Sequence, residues 1–186
     1  MVKDKTKRKA FFLDRDGVLN RVYVRGGLPY PPKVISDFEL LPGVSKAVEL
    51  LQENNFEIVV VTNQPDVARG TTTREIVEEF QKFLMKSLKI DYFYTCFHDD
   101  KDNCACRKPK PGLILAAAQE LNICLNRSFM VGDRWKDIAA GQAAGCECFY
   151  INNSYKEITA KLPYTQVSSL IESVNHVLKE NSHAGV

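Results

Sequence analysis

The sequence predicts one doubly wound, Rossmann-like α/β domain with a mainly parallel central sheet and helices on both faces. Three observations predict it. Short β-branched or aromatic runs recur at 10–14, 56–62, 92–96, 128–132 and 146–151, and runs that are apolar throughout fit strands buried on both faces. Between them lie stretches with apolar residues at helical spacing, and strand–helix alternation of this kind points to a parallel sheet. The chain has 186 residues, 45% hydrophobic and 26% charged, which suffices for one core of ordinary composition without disulfide staples.

The elements follow in order. Residues 1–9 carry Lys3, Lys5, Lys7, Arg8 and Lys9 against Asp4 and read as a basic, flexible tail. The first strand, 10–14, opens the domain. Gly26, Gly27, Pro29, Pro31 and Pro32 make 20–42 a loop or small hairpin. Val44, Ala47, Val48 and Leu51 stand at i, i+3, i+4 and i+7 of a helix. After the strand at 56–62 and a polar turn at 64–72, Thr72-x-x-Glu75 has the capping-box pattern. It precedes a helix with Ile76, Val77, Phe80, Phe83, Leu84 and Leu88 on one face. The strand at 92–96 leads into an irregular, charged stretch at 97–111. Pro111 suits the first turn of a helix carrying Ile114, Ala117, Ala118 and Leu121. A helix at 135–144 ends at Gly145, a C-terminal cap. A last helix holds Val167, Leu170, Ile171, Val174 and Leu178. The domain is expected to span 10–180, with 181–186 a disordered tail.

Charge narrows the function classes. The formal net charge is +2, but the tail accounts for more than all of it and leaves a body of net −2. Such a body does not hold nucleic acid by bulk charge. The basic start is followed by four apolar residues, Ala10 to Leu13, too few for a signal-peptide core, and no apolar run approaches bilayer length. A cytoplasmic monomer without a membrane partner is expected, and six cysteines in such a chain point to metal or thiol chemistry before disulfides.

In open α/β sheets, ligands bind beyond the carboxyl ends of the strands. The residues that follow each strand are Asp14-Arg15-Asp16-Gly17, then Thr62-Asn63, then Arg107-Lys108 after a loop, then Gly132-Asp133 with Asp137 behind it. A carboxylate can attack phosphorus. Grouped carboxylates need a cation, and Mg2+ favours a few carboxylates with phosphate oxygens. A hydroxyl and a lysine can bind the oxygens of the transferring group. No glycine-rich nucleotide loop is present. Each feature alone has a plainer reading: D-x-D as a turn, G-D-x-x-x-D as a capped helix start, Lys108 as a solvated side chain. Separately, Cys96-x-His98-x5-Cys104-x-Cys106 gathers three thiols and an imidazole, a complete ligand set for a structural Zn2+. That loop ends directly at Arg107-Lys108. Cys124, Cys146 and Cys148 read as packed thiols.

Taken in order and spacing, Asp14-Arg15-Asp16-Gly17-Val18-Leu19-Asn20, Val61-Thr62-Asn63-Gln64, Arg107-Lys108-Pro109 and Gly132-Asp133-Arg134-Trp135-Lys136-Asp137 resemble the four motifs of haloacid-dehalogenase-like phosphatases. The resemblance covers roughly 10–151. It implies Asp14 as nucleophile and Asp16 as general acid and then base. Mg2+ would lie on Asp14, the backbone carbonyl of Asp16 and Asp133, with Asp137 in support, Thr62 and Lys108 on the transferring group and Asn63 on the phosphate. With the zinc loop and no room for a large cap domain, the chain resembles two branches of that family, one acting on a heptose bisphosphate and one on histidinol phosphate. Lys108-Pro109-Lys110-Pro111-Gly112 and Val67-Ala68-Arg69-Gly70 favour the heptose branch. Gln64-Pro65-Asp66 and the short gap from His98 to Cys104 depart from it. A bisphosphate needs a second anion site, for which Arg69, Arg107 and Lys110 are the candidates. Asp99 or Asp100 would instead suit the cationic histidinol phosphate. A DNA 3′-phosphatase and a non-catalytic, zinc-stabilised binding module are the remaining alternatives.

Overall fold

Ala10–Leu13 forms β1, and in the computed structural model, which describes residues 7–183, it lies inside a six-stranded sheet. The other strands are β4 (Glu57–Asn63), β5 (Tyr92–Cys96), β6 (Phe129–Gly132), β7 (Glu147–Ile151) and β8 (Thr165–Val167). Their order is β5-β4-β1-β6-β7-β8 and every pairing is parallel. All four residues of β1 are buried. Phe11 and Leu13 enter the apolar layer on one face, Ala10 and Phe12 the layer on the other, as the two-residue period of a strand requires. Each such large side chain contributes on the order of 1.5–3 kcal/mol by leaving water. The chain first builds outward from β1 through β4 to β5, then returns to the opposite side of β1 with β6. The reversal puts a crevice at the carboxyl ends of β1 and β6.

Helix α1 (Val44–Glu53), α2 (Arg74–Leu88) and α5 (Leu170–His183) belong to the layer that covers Phe11; α3 (Gly112–Glu120) and α4 (Trp135–Ala144) belong to the other. The five expected strands are present with ends shifted by a residue, and the loop after β1 is a hairpin of β2 (Tyr23–Arg25) and β3 (Leu28–Tyr30). Gly145 caps α4 in the left-handed region at φ 85°, and Pro111 immediately precedes α3. Among the described residues no helix is long and apolar enough to cross a membrane.

Four expectations are corrected. Thr73, not Thr72, caps α2, its hydroxyl accepting from the Ile76 N–H at 3.4 Å. Val167 ends β8, an edge strand paired with β7, and does not begin the last helix. Arg8 and Lys9 belong to the body and not to a tail. The Arg8 N–H donates to the Asn122 carbonyl at 3.0 Å, the Cys124 N–H donates back to the Arg8 carbonyl at 2.8 Å, and the Lys9 ammonium sits 4.0 Å from the centre of the Phe56 ring. Residues 1–6 of the expected N-terminal tail and 184–186 of the C-terminal one lie outside the described residues, while 181–183, expected in the C-terminal tail, continue helix α5.

Candidate active site

The four strand-end motifs converge on one cleft. Asp14 leaves β1, Thr62 and Asn63 end β4, Asp133 follows β6, and Asp137 lies in the first turn of α4. Lys108 reaches the same point from the loop after β5. It is 2% exposed, and its Nζ lies 2.8 Å from Asp14 Oδ1, 2.6 Å from Asp137 Oδ1 and 2.7 Å from the Val61 carbonyl. Asn63 holds it there. The Asn63 amide donates to the Lys108 carbonyl at 3.0 Å, and its Oδ1 accepts the Lys108 N–H at 3.1 Å.

The electrostatics are those of an anion cage with one built-in cation. Burial raises the Asp14 pKa, Lys108 opposes the rise, Asp137 and Asp16 add to it, and the net is about 6. Burial raises Asp133 well above the usual carboxylate range, with Asp14 and Asp137 adding to the effect. For Lys108, burial pulls the pKa down, but Asp137 and Asp14 outweigh it and the net shift is upward. Asp14, Asp133 and Asp137 each place a carboxylate oxygen within 4.8 Å of the others. Both oxygens of Asp137 are engaged, one by Lys108 and the other by the Arg134 N–H at 2.9 Å. Asp133 differs. Its Oδ2 accepts from Tyr155 and Asn153, while its Oδ1 is buried with no hydrogen-bond partner. A bare buried carboxylate oxygen beside other carboxylates calls for a cation, so this donor set fits a hard divalent metal.

Asp16 is held by three donors: Arg15 Nη2 at 2.8 Å, Gln64 Nε2 at 2.8 Å and Asn20 Nδ2 at 3.0 Å. Gln64 also donates to the Thr62 hydroxyl at 2.9 Å. The sequence reading left Arg15, Asn20 and Gln64 without a role, although all three lie within the quoted motifs. Glycine at 17 is required by space as well as by its φ of +89°, because a Cβ there would lie 1.8 Å from Asp133 Oδ2.

Of the proposed outer cations, Arg69 lines the cleft, and its guanidinium pairs with Asp99 at 3.0 and 2.5 Å. Arg107 is not among the residues that line the cleft and is held by the cysteine loop, donating to Asp100 at 2.8 Å and to the His98 carbonyl at 3.2 Å. Lys110 is not brought to the cleft either. Its ammonium binds Asn103 and the Cys104 carbonyl at 2.7–3.1 Å and so closes the cysteine loop. Its place is taken by Arg134 and Lys136, which line the cleft from the start of α4. Arg134 is ion-paired to Glu157, and Lys136 Nζ is 3.5 Å from Asp100. They stand inside the fourth motif, and that position was the signal that could have found them.

The second cluster lies in the loop after β5. The ligand atoms of Cys96, His98, Cys104 and Cys106 lie within 4.8 Å of one another, with Cys96 and Cys106 3.3–3.6 Å from each other and from the other two, and all six cysteines of the chain are free. Tetrahedral metal–sulfur bonds of about 2.3 Å imply edges near 3.7 Å, so the set fits such an ion. Burial, aided by the Cys106 hydrogen bond, pushes the Cys96 thiol up to about 12. At Cys104 burial pushes upward too, but hydrogen bonds from Cys106 and the Arg107 N–H overcome it and bring the thiol to about 7. The loop leans on α3 through Gly112, where a Cβ would lie 2.3 Å from the Ala105 carbonyl oxygen.

Comparison with known proteins identifies the family and the fold. The family model for haloacid dehalogenase-like hydrolases matches residues 30–145, a stretch that starts beyond Asp14 and Asp16. A D-glycero-beta-D-manno-heptose-1,7-bisphosphate 7-phosphatase of Helicobacter pylori strain J99 is 40% identical over 144 residues, covering 73% of this chain and 78% of the relative. The enzyme of the same name from Haemophilus ducreyi is 35% identical over 185 residues, covering 91% and 98%. Among solved structures, the D,D-heptose 1,7-bisphosphate phosphatase of B. bronchiseptica, complexed with magnesium and phosphate, superposes with a TM-score of 0.81 at 26% identity. That match covers 92% of this chain and 99% of the other.

Proposed function

The chain belongs to the haloacid dehalogenase-like hydrolases, and from that premise we propose that it is a Mg2+-dependent phosphatase that removes the 7-phosphate of D-glycero-D-manno-heptose 1,7-bisphosphate. The observation that carries the reading is the buried bridge from Lys108 to Asp14 and Asp137, at 2.8 and 2.6 Å, beside the bare oxygen of Asp133. The heptose-phosphatase relatives supply the substrate.

In this mechanism an Asp14 oxygen attacks phosphorus, the bond from phosphorus to the sugar oxygen breaks, and Asp16 gives its proton to that leaving oxygen. The aspartyl-phosphate is then hydrolysed by a water whose proton returns to Asp16, releasing inorganic phosphate and restoring Asp14. Lys108 neutralises charge on the transferring group, together with the Thr62 hydroxyl. Asn63 keeps Lys108 in line through its backbone. Asp14, the Asp16 carbonyl and Asp133 would hold Mg2+, which when bound supplies compensation for the clustered negative charge. Asp137 orients Lys108. Arg69 and Arg107 are the groups proposed to receive the second phosphate, exchanging Asp99 and Asp100 for it. Zn2+ on Cys96, His98, Cys104 and Cys106 would fix the loop that delivers Lys108. We place this enzyme in the cytoplasm as a monomer acting on a small molecule.

A phosphate-release panel with heptose 1,7-bisphosphate, histidinol phosphate and a 3′-phosphorylated oligonucleotide tests the substrate. The bisphosphate is expected to show the highest kcat/KM. A higher value for histidinol phosphate would assign the site to that amine-bearing substrate, with Asp99 and Asp100 as its counter-ions.

A further inference from the structure

We infer that Tyr155 is a positioning residue for the cation site, its hydroxyl occupying one oxygen of Asp133 so that the other is presented to the metal. The inference rests on the assignment of Asp133 as a cation ligand. Tyr155 lies in the loop after β7, outside all four motifs. Its hydroxyl donates to Asp133 Oδ2 at 2.7 Å. Asn153 Nδ2 donates to the Tyr155 oxygen at 3.1 Å and to Asp133 Oδ2 at 3.3 Å. Because the phenol oxygen already accepts from Asn153, its own proton is directed at the carboxylate. Asp133 is 0% exposed, and its Oδ1 has no partner. One saturated oxygen and one bare oxygen on the same buried carboxylate set its rotation and leave a single lone-pair face for a cation.

The placement of Tyr155 separates it from the reacting groups. Asp14, Asp16 and Lys108 line the cleft, whereas Tyr155, Asn153 and Gly17 line a different cavity of about 430 Å³. Tyr155 therefore acts through Asp133 and not on the substrate. Gly17 makes the approach possible, since a Cβ there would stand 3.2 Å from the Tyr155 oxygen as well as inside the Asp133 carboxylate. The next residue anchors the loop, the Lys156 N–H donating to the Gly27 carbonyl in the turn of the β2–β3 hairpin at 2.8 Å. Outer partners that fix a ligand's orientation typically change metal affinity by about 10–100-fold when removed.

The test is Mg2+ titration by calorimetry of the wild type, Tyr155→Phe and Asn153→Ala. Melting temperatures in chelator and the Mg2+ concentration for half-maximal phosphate release are measured alongside. Tyr155→Phe is expected to weaken Mg2+ binding about tenfold and Asn153→Ala about threefold. Added Mg2+ should restore most of the lost turnover of Tyr155→Phe. A Tyr155→Phe protein that binds Mg2+ as the wild type does, whether or not its melting temperature falls, overturns the inference. Equal Mg2+ affinity in the wild type and Asp133→Asn would overturn the ligand assignment itself, and this inference with it.

Discussion

The carboxylate cluster and the cysteine–histidine loop both gather groups that resist being close, yet different forces hold them. Asp14, Asp133 and Asp137 are at most 7% exposed and stand at the ends of β1 and β6 and at the start of α4. Apolar packing on both faces of the sheet builds that frame, and Lys108 already offsets part of the charge. Between Cys96 and Lys108, by contrast, no residue is buried. The ion pairs on that loop, such as Arg107 to the exposed Asp100, are worth about 1 kcal/mol or less. In the first region the fold makes the site; in the second, the proposed zinc would make the fold.

The largest expected effect breaks the chemistry and spares the frame. Asp14→Asn should lower phosphate release by at least about 1,000-fold, with a circular-dichroism melt within a few degrees of wild type. Retained turnover would remove Asp14 as nucleophile. Next, Lys108→Ala leaves Asp14 and Asp137 buried without their shared cation, which should cost about 3–5 kcal/mol in urea unfolding with chelator present. Mg2+ should return part of it, and an unchanged midpoint would show that the carboxylates need no counter-charge. Third, Cys104→Ser should abolish bound zinc and lower the melting temperature by about 5–10 °C. Removing Mg2+ alone should stop turnover and move the melt by less than about 2 °C. Should both manipulations shift the melt equally, the contrast between the regions fails. The smallest effect lies at the rim. Arg69→Ala should raise KM for the bisphosphate about fivefold with little change in kcat, measured against a monophosphate whose KM stays put.

The hairpin and the strand ends separate what was legible from what was not. A strand such as Ala10–Leu13 is apolar at every position, so its burial on both faces is written in the local pattern, and the polar residues that follow it fall at the ligand-binding edge of any parallel sheet. Four inner strands, the carboxylates and Lys108 were legible for that reason; the four-ligand loop was legible from its spacing, and β5, expected to be buried on both faces, is an edge strand with only Cys96 buried. Thr165–Val167 is three residues with one buried side chain, too short to carry a period, and only pairing with β7 makes it a strand. Gln64 meets Asp16 across 48 residues and Tyr155 meets Asp133 across 22. Such partners belong to no spacing rule, because the sheet order sets them.

Lys110 shows the same division from the other side: its charge and position suited a phosphate, but the loop carbonyls were nearer. By itself the sequence determined the fold class, the succession along the chain of the strands that bear the polar residues and the two sets of residues proposed as ligands, since each depends on neighbours along the chain. Only the tertiary structure decided which oxygen of Asp133 is left bare, which cations face the cleft and which brace the loop. The first two outcomes depend on distances below 3 Å between residues far apart in sequence, which packing brings that close, and the third on how the loop folds back on itself, with Lys110 meeting Asn103 seven residues away.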